Sequence, residues 1–379
     1  MKLKYLVLTA LSLIVLNSCS DNDDLDDKRA KRTVFVYMVA SNLGSNLTAN
    51  IEDMIAVATP ENLNGGNLVV FYSKNKEEAE LFEIKEGANG VITRHHIRDY
   101  VNKSAISPQV MREVLNEVVS LYPADSYGMV LSSHGSAWLP TDFRSMLRSF
   151  GEEDKKSMEI NELADALPDH FFDFLLFDAC SMGAIECMYE LRNKAVYIIS
   201  SPSEIWSPGF PYRKVLPILF QQLPDMAQIA NEYYDFYLNF SYPLGNVTVV
   251  KTNQLEDLAG AVRAIVSVAG GEEAMHDLPF SHLQTLSYLS GAPTKLYDFG
   301  DVIQKLTTTD EQYRFFQAAL DKAVTEKRCT ERIYCQAEGG YDGIPVEAYS
   351  GLSVYPPKRE LTELNNWYRQ LDWYKAVYK

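Results

Sequence analysis

The chain has 379 residues, of which 46% are hydrophobic, and its formal net charge is -16 at neutral pH. This length and composition suffice for one large hydrophobic core or two smaller ones. The acidic excess argues against a nucleic-acid partner, because phosphate binding requires a basic surface. An acidic surface that faces water is the simpler interpretation.

The N-terminus has the features of an export signal that ends in a lipidated cysteine. Two lysines begin an apolar run, up to residue 16, that is shorter than a comfortable membrane span. The following sequence LNSC ends at Cys19 and resembles a bacterial lipobox, in which the cysteine is lipidated and becomes the first mature residue. We therefore predict a lipoprotein signal peptide over residues 1–18 and lipidation of Cys19. An ordinary secretory signal is the alternative.

An acidic segment without an apolar pattern follows this cysteine. The sequence SDNDDLDDKRAKR lacks the central glycine and the distal glutamate of an EF-hand calcium loop. It predicts a flexible tether over residues 19–32. An acidic block directly after a lipidated cysteine also resembles the surface-export signals of some Gram-negative lipoproteins. We therefore expect an outer-membrane lipoprotein that can face outward; a periplasmic or secreted protein is the alternative.

From Thr33 onward, short apolar strands alternate with longer helical stretches, which predicts a mostly parallel β-sheet with helices on both faces. The predicted strands are Val34–Val39, Leu68–Tyr72, Tyr127–Ser132, Phe174–Phe177, Val196–Ser200, Val247–Val250 and Leu352–Tyr355. The predicted helices are Pro108–Leu121, Ile160–Leu167, Ala184–Arg192, Leu255–Ala269 and Asp310–Val324. A hairpin of Glu80–Ile84 and Val91–His96 turns at Asn89-Gly90. One α/β domain over residues 33–379 contains a helical insert at Pro211–Phe240 and a C-terminal annex.

Two predicted strands end in residue types that together can perform covalent catalysis. The strand Tyr127–Ser132 leads into SSHGSAW, which contains His134, and the next predicted strand leads into Asp178-Ala179-Cys180. Neighbouring parallel strands would bring an imidazole within reach of a thiol, whose proton it can accept. Either residue alone is more often structural, but their joint placement at strand ends is difficult to attribute to chance. Their spacing is close to the roughly fifty residues of caspase-type proteases.

Two backbone N–H groups next to this pair are candidates for a role in catalysis, whereas the other cysteines have structural interpretations. Gly135 permits a sharp bend and can direct a backbone N–H toward a developing oxyanion. The N–H of Cys180, at the start of a predicted helix, is the second candidate donor. Cys187 is predicted to lie in the core. Cys329 and Cys335 are close enough in sequence to pair across a turn.

These motifs identify a family resemblance that spans about residues 33–357. The sequences LLFDACSMGAIECMYEL and SSHGSAW are similar to the clostripain family of cysteine peptidases, which shares the caspase–gingipain–legumain fold. Weaker matches are VFVYMVASNLGSNL, SPSEIWSPGFPY, TKLYDFGDVIQKL and SGLSVYPP. The resemblance implies that His134 is the general base, that Cys180 is the nucleophile, and that Gly135 and Cys180 stabilise the oxyanion.

The resemblance also implies a specificity for basic residues, because the family cleaves after arginine or lysine. Asp178 matches the acidic position of the pocket that holds this side chain. A turn-capping aspartate is the plainer interpretation. Glu204 is a candidate for a second acidic residue in this pocket, and this assignment does not come from the family resemblance. Trp206 and Ser207 depart from the glycine-rich loop expected here, which leaves the pocket width open.

The loop between the two catalytic strands predicts a mode of activation. Members of the family are typically made as inactive precursors that are cut after a basic residue in this interval. We expect self-cleavage between Arg148 and Ser149, with Arg144 as the second candidate. The alternative is that both arginines simply lie on a loop that faces solvent.

Other chemistry has little support in the sequence. There is no G-x-S-x-G motif for a serine hydrolase, and adjacent His95 and His96 would point to opposite faces of a strand. We predict no metal site and no cofactor; calcium dependence occurs in some relatives and stays open. Arginine is expected to be preferred over lysine in protein or peptide substrates. Cleavage after asparagine or aspartate is a rival within the enzyme class, and a catalytically silent surface binding protein is the rival outside it.

Overall fold

The computed structural model describes residues 29–139, 149–154, 156–288, 295–337 and 340–379. The predicted signal peptide, Cys19 and most of the predicted tether lie outside these ranges, as do Arg144 and Arg148. The folded part begins slightly before the predicted boundary. Arg32 is only 4% exposed, and its guanidinium donates a hydrogen bond to the carbonyl oxygen of Leu219. The last residues assigned to the tether are therefore part of the domain.

The strands and helices of this domain alternate along most of the chain. The strands are β1 (Thr33–Val39), β2 (Asn67–Ser73), β3 (Ala79–Glu86), β4 (Ile92–Asp99), β5 (Tyr127–Ser132), β6 (Phe150–Glu153), β7 (Lys156–Met158), β8 (Phe172–Asp178), β9 (Ala195–Ser200), β10 (Asn246–Lys251), β11 (Thr285–Tyr288), β12 (Lys295–Asp298), β13 (Val324–Cys329), β14 (Arg332–Cys335), β15 (Gly340–Pro345) and β16 (Ser353–Val354). The helices are α1 (Gly44–Val57), α2 (Pro60–Leu63), α3 (Pro108–Leu121), α4 (Ile160–Ala166), α5 (Ile185–Glu190), α6 (Tyr212–Leu219), α7 (Met226–Leu238), α8 (Leu255–Ala269), α9 (Glu272–His276), α10 (Phe299–Leu306), α11 (Asp310–Ala323), α12 (Thr362–Tyr368) and α13 (Asp372–Tyr378).

Nine strands form the central sheet, in the order β13-β10-β9-β8-β5-β1-β2-β3-β4. The five strands from β9 to β2 run parallel to one another, and the pairs at both edges are antiparallel. The predicted hairpin is confirmed as β3 and β4, which extend the sheet on one side. The prediction of a mostly parallel sheet therefore holds for the part of the sheet that carries the candidate site.

Both faces of the sheet are buried, as the continuous apolar strands predict. Successive side chains of β1 enter two different hydrophobic clusters: Phe35 and Tyr37 lie on one side, Val36 and Met38 on the other. Helices α1, α6 and α7 cover one face, and α3, α5, α8 and α13 cover the other. Helices α6 and α7 confirm the predicted helical insert, and α12 and α13 form the C-terminal annex.

Two expectations about the C-terminal part are wrong. The predicted strand Leu352–Tyr355 is reduced to β16, which pairs with β12 in a small three-stranded sheet outside the central one. The reason is that β13 occupies the sheet edge next to β10, while Ser353 donates its backbone N–H to the carbonyl of Gly183. Cys329 and Cys335 are not joined by the disulfide that we considered. Cys187 is buried in the core, as predicted.

No helix in the part of the chain that the structure describes is both long enough and apolar enough to cross a membrane.

Candidate active site

The carboxyl ends of β5, β8 and β9 meet at one edge of the sheet and form an open cleft. Ser132 of β5 pairs with Asp178 of β8, so the chain reaches His134 and Cys180 two residues beyond the same rung of the sheet. The cleft has a volume of about 180 Å³. Its lining includes all four side chains that the sequence singled out for catalysis and substrate binding, namely His134, Asp178, Cys180 and Glu204.

Cys180 lines the cleft, where it lies against the loop that follows β9. The backbone N–H of Ile205 donates to Sγ at 3.3 Å, and Sγ lies 3.8 Å from the carbonyl oxygen of the same residue. Burial and the nearby Glu204 carboxylate raise the pKa of the Cys180 thiol to about 12. The thiol of the free protein is therefore protonated at neutral pH, and it requires a base before it can act as a nucleophile.

His134 is oriented by residues from two other segments. Its Nε2 lies 2.5 Å from Oδ1 of Asn42 and 3.9 Å from Oε2 of Glu152. In the tautomer that has its proton on Nε2, this nitrogen donates to the Asn42 oxygen, and Nδ1 is then the basic nitrogen. Sequence reasoning missed Asn42, although it lies in the loop after the first strand that carries part of the family resemblance.

The backbone of Gly135 lies directly against that of Cys180. A Cβ atom at Gly135 would stand 2.5 Å from the carbonyl oxygen and 3.2 Å from the nitrogen of Cys180. No residue larger than glycine fits without a shift of one of the two loops. The two predicted oxyanion donors are thus brought together.

The segment after Cys180 differs from the prediction. The predicted helix Ala184–Arg192 is confirmed as α5, but Cys180, which we placed at its start, lies five residues before Ile185. Ser181 adopts a left-handed backbone conformation with φ of 60°, which interrupts helical geometry directly after the thiol. The N–H of Cys180 therefore belongs to a tight turn and not to a helix N-terminus.

Asp178 is a buried carboxylate at the bottom of the cleft. The hydroxyl of Tyr212 donates to its Oδ2 at 2.9 Å, and Ser132 donates to the same oxygen at 3.4 Å. Burial raises the pKa of Asp178 to about 6. Among the residues that the structure describes, no lysine or arginine forms an ion pair with this carboxylate.

Gly209 keeps this carboxylate open to the cleft. A Cβ atom at Gly209 would lie 2.5 Å from Oδ2 and 2.7 Å from Oδ1 of Asp178, and the φ of 70° at this position also favours glycine. Sequence reasoning did not single out Gly209 or Tyr212, because their relation to Asp178 depends on how the loop after β9 folds back over the strand end.

Glu204 lies at the rim of the same cleft. Its Oε2 accepts a hydrogen bond from the backbone N–H of Gln336 at 3.0 Å, and burial raises the pKa of its carboxyl group. The predicted second acidic residue is therefore near the candidate pocket, but part of its hydrogen-bonding capacity is used to hold the segment after β14.

The segment that follows the predicted cleavage point packs against the histidine loop. Ser149 has no exposed surface, and its carbonyl accepts the N–H of Ser136 at 3.4 Å. Two residues further, Gly151 donates its N–H to the carbonyl of His134 at 3.1 Å. Residues on the C-terminal side of the predicted cut thus directly support the histidine.

Within the described ranges, no three histidine, cysteine, aspartate or glutamate side chains form a group that could hold a metal ion.

Comparison with known proteins shows which family the chain and its fold resemble. The family model described as "Clostripain family" matches residues 36–379. The structure is similar to that of an inactive zymogen C11 protease from Parabacteroides distasonis, with 37% identity and a TM-score of 0.83 over 93% of this chain and 99% of that one. It is also similar to a secreted C11 cysteine protease from Bacteroides thetaiotaomicron in complex with an irreversible peptide inhibitor, with 29% identity and a TM-score of 0.79 over 92% and 98% of the two chains.

A curated relative supports the same assignment over a shorter region. Clostripain from Hathewaya histolytica is 27% identical over 222 residues, which are 50% of this chain and 42% of that protein. The chain therefore spans less than half the length of this relative. Because the family model covers nearly the whole described fold, the chain belongs to the clostripain family of cysteine peptidases.

Proposed function

We propose that the protein is a cysteine endopeptidase that cleaves peptide bonds after basic residues, arginine in preference to lysine. The observation that carries this proposal is the presence of Cys180, His134 and the buried Asp178 carboxylate in one cleft. The first two supply a nucleophile and a base, and the third supplies a negative charge that only a cationic side chain would compensate.

The proposed reaction begins with transfer of the Cys180 thiol proton to Nδ1 of His134. The thiolate sulfur then attacks the carbonyl carbon of the scissile bond, and the N–H groups of Gly135 and Cys180 stabilise the resulting oxyanion. His134 returns the proton to the departing amine as the C–N bond breaks, which leaves a thioester on Cys180. Water, deprotonated by His134, attacks the thioester, and collapse of this intermediate releases the acid and restores the thiol.

Coupling to the histidine reconciles this mechanism with the high thiol pKa of the free protein. A pKa of about 12 means that almost no thiolate exists at neutral pH before substrate binds. Proton transfer to His134 in the complex produces the nucleophile only when the carbonyl is in position. Expulsion of water from the cleft by the substrate strengthens the interaction of the oxyanion with both N–H groups.

The proposed specificity rests on the cost of an unpaired buried carboxylate. Asp178 has hydroxyl donors but no cationic partner among the described residues, and its raised pKa reports the penalty for keeping it charged. An arginine or lysine side chain that enters past Gly209 would supply that partner, and arginine can do so through two parallel hydrogen bonds. Glu204 adds negative charge at the rim. An acidic substrate side chain would be repelled by both, which disfavours cleavage after aspartate.

We further propose that the protein activates itself by cutting the loop between β5 and β8, after Arg148, with Arg144 as the second candidate. Both arginines lie outside the described residues, but the flanking contacts indicate what a cut would change. Ser149 is buried, so the bond on its N-terminal side can enter a catalytic cleft only when Ser149 leaves this position. A cut would free the N-terminal end of the segment that supports His134 through the N–H of Gly151.

Self-cleavage gives a first test of the whole proposal. Wild-type protein purified to homogeneity should give two fragments by mass spectrometry, with a new N-terminus at Ser149. The fragments should stay associated under native conditions, because β5 and β8 lie on opposite sides of the cut and pair along five rungs, from Gly128–Phe174 to Ser132–Asp178. The Cys180→Ala protein should remain a single chain.

Two other outcomes of this experiment are informative. A new N-terminus at Ser145 would show that the protein cleaves itself after Arg144 and not after Arg148. A wild-type chain that hydrolyses peptides at full rate while uncut would refute activation by cleavage.

The remaining proposals concern location and cofactors, and they rest on the sequence. We propose that Cys19 carries a lipid that anchors the protein to the outer membrane, with the acidic segment behind it as a tether. The proposed chemistry requires no cofactor, because the nucleophile, base and oxyanion donors all come from the chain.

A further inference from the structure

Four aromatic residues form a continuous surface beside the candidate active site, which we call the aromatic rim: Trp206, Tyr242, Tyr334 and Tyr341. The ring of Trp206 is the centre of this group, with centroids 4.7 Å from those of Tyr334 and Tyr341 and 5.7 Å from that of Tyr242. Tyr242 and Tyr341 also stack on each other at 5.1 Å. The three tyrosines come from the loop after α7 and from β14 and β15, so the rim is a tertiary feature that no sequence motif predicts.

The aromatic rim continues directly from the nucleophile. Trp206 and Tyr334 line the same cleft as Cys180 and Asp178. Trp206 follows Ile205, whose N–H contacts the Cys180 sulfur. Its carbonyl oxygen accepts hydrogen bonds from the N–H of Gly209 at 2.9 Å and from the hydroxyl of Tyr237 at 3.1 Å. These two hydrogen bonds fix the backbone that carries the indole. Trp206 is the next residue after Ile205, which contacts the nucleophilic sulfur.

The outer part of the aromatic rim is exposed to solvent. Tyr341 is 60% exposed and Tyr242 is 42% exposed, whereas Trp206 is half-buried and packs against the hydrophobic cluster on one face of the sheet. Tyr242 and Tyr341 thus present aromatic surface to solvent next to the cleft. Aromatic side chains that lie open beside a cleft and are rigidly supported from below are typical of binding surfaces.

The order of the strands shows which part of a substrate would meet this surface. The loop that carries Cys180 lies between the loop after β5, which carries His134, and the loop after β9, which carries Trp206. His134 must reach the departing amine, so the part of the substrate after the cleaved bond lies toward β5. The part before the cleaved bond therefore lies toward β9 and the aromatic rim.

We propose that the aromatic rim is a subsite that binds a large apolar side chain, preferably aromatic, at one of the two residues preceding the basic residue of the substrate. This inference rests on the proposed function, because the basic side chain in the pocket of Asp178 fixes the register of the peptide. Offset or edge-on packing of an incoming ring against Trp206 and Tyr341 would supply the affinity. Acidic side chains at these positions would approach Glu204 and bind poorly.

A peptide panel with arginine fixed before the cleaved bond tests the inference. Each of the two preceding positions is set in turn to alanine, aspartate, leucine, phenylalanine or tyrosine, and kcat/KM is measured for every peptide. At one of the positions, wild-type protein should favour phenylalanine over alanine by roughly tenfold, the value expected for partial burial of an aromatic ring. Aspartate should be the poorest residue there.

Variants of the aromatic rim distinguish binding at this subsite from binding in the pocket of Asp178. Tyr341→Ala removes an exposed ring and should bring the ratio of phenylalanine to alanine peptides close to parity, while Tyr341→Phe should keep the ratio. Trp206→Ala should reduce the ratio further, but it also removes a partly buried side chain, so Tyr341 is the decisive position. Phe315→Ala is the matched control, since Phe315 is an exposed ring on α11 that does not line the cleft.

The outcomes distinguish the inference from the function on which it rests. Two results would overturn the aromatic subsite alone. One is cleavage of arginine peptides with no preference for aromatic residues at either preceding position. The other is an aromatic preference that persists in both Tyr341→Ala and Trp206→Ala. Failure to cleave any peptide after arginine or lysine would instead overturn the proposed function.

Discussion

Cys180→Ala is expected to abolish peptide hydrolysis while the fold is retained. The substitution removes the atom that forms the thioester, and no other cysteine lines the cleft in the described part of the chain. Loss of the nucleophile in a comparable catalytic group costs roughly six orders of magnitude in kcat. The measurement is kcat with a fluorogenic arginine peptide, accompanied by circular dichroism and the thermal midpoint.

Two further variants sharpen this prediction. His134→Ala should lose activity by a comparable factor, and the double variant should lose little more, because the two residues act as one unit. Cys329→Ala is the matched control: it removes a half-buried thiol outside the cleft and should leave hydrolysis unchanged. Turnover that survives in Cys180→Ala, or that disappears in Cys329→Ala, would show that a different thiol is the nucleophile.

Asp178→Asn should remove cleavage after basic residues without weakening the fold. Loss of one partner from a desolvated charge pair costs about 2–5 kcal/mol, which corresponds to a roughly 30- to several-thousand-fold decrease in kcat/KM for arginine peptides. The asparagine side chain has nearly the same shape, and its oxygen can still accept the hydroxyl of Tyr212. The variant therefore isolates the charge from the packing.

The stability of this variant follows from the pKa of Asp178. Burial raises the pKa of this group from 3.8 to about 6 in the folded state, so the folded protein binds its proton more tightly than the unfolded chain does. The stability contribution of the group is fully present below the unfolded pKa and is lost as the pH rises through about 6. At pH 7.5 the ionised carboxylate therefore destabilises the folded state, and Asp178→Asn should have a thermal midpoint equal to or above that of the wild type.

The same pKa predicts the pH dependence of activity. For the wild type, kcat/KM for arginine peptides should fall as the pH decreases through about 6, because protonation of Asp178 removes the charge that binds the substrate. Asp173→Asn is the control on the same strand: it removes the ion pair with the buried Arg32, so it should lower the thermal midpoint and retain arginine specificity. If kcat/KM for arginine peptides is unchanged in Asp178→Asn, another residue determines the specificity, and Glu204 is the next candidate.

The sequence predicted the strands that carry the site because their signals are local. The runs that became β1, β5 and β8 are mostly apolar, as strands buried on both faces should be, and β5 and β8 end in the polar residues Ser132 and Asp178. The juxtaposition of His134 and Cys180 then followed from parallel pairing of neighbouring strands. The helices α3 and α8 were predicted with their observed boundaries, since proline or acidic residues mark their first turns.

The features that the sequence did not predict depend on contacts between distant segments. Asn42 reaches His134 from 92 residues away, and neither residue carries a local signal of the other. The aromatic rim likewise joins segments from separate parts of the chain. Cys180 is not at the start of α5 for a local reason: Ser181 takes a left-handed conformation that serine propensities do not predict.

The central claim is that a thiol peptidase reads a basic side chain through Asp178, and a panel of fluorogenic peptides that differ only in the residue before the cleaved bond tests it most directly. Measured on the purified wild-type protein, kcat/KM should be highest for arginine, lower for lysine and near background for aspartate, asparagine, leucine and alanine. Efficient cleavage after asparagine or aspartate, with arginine and lysine peptides left intact, would contradict the account.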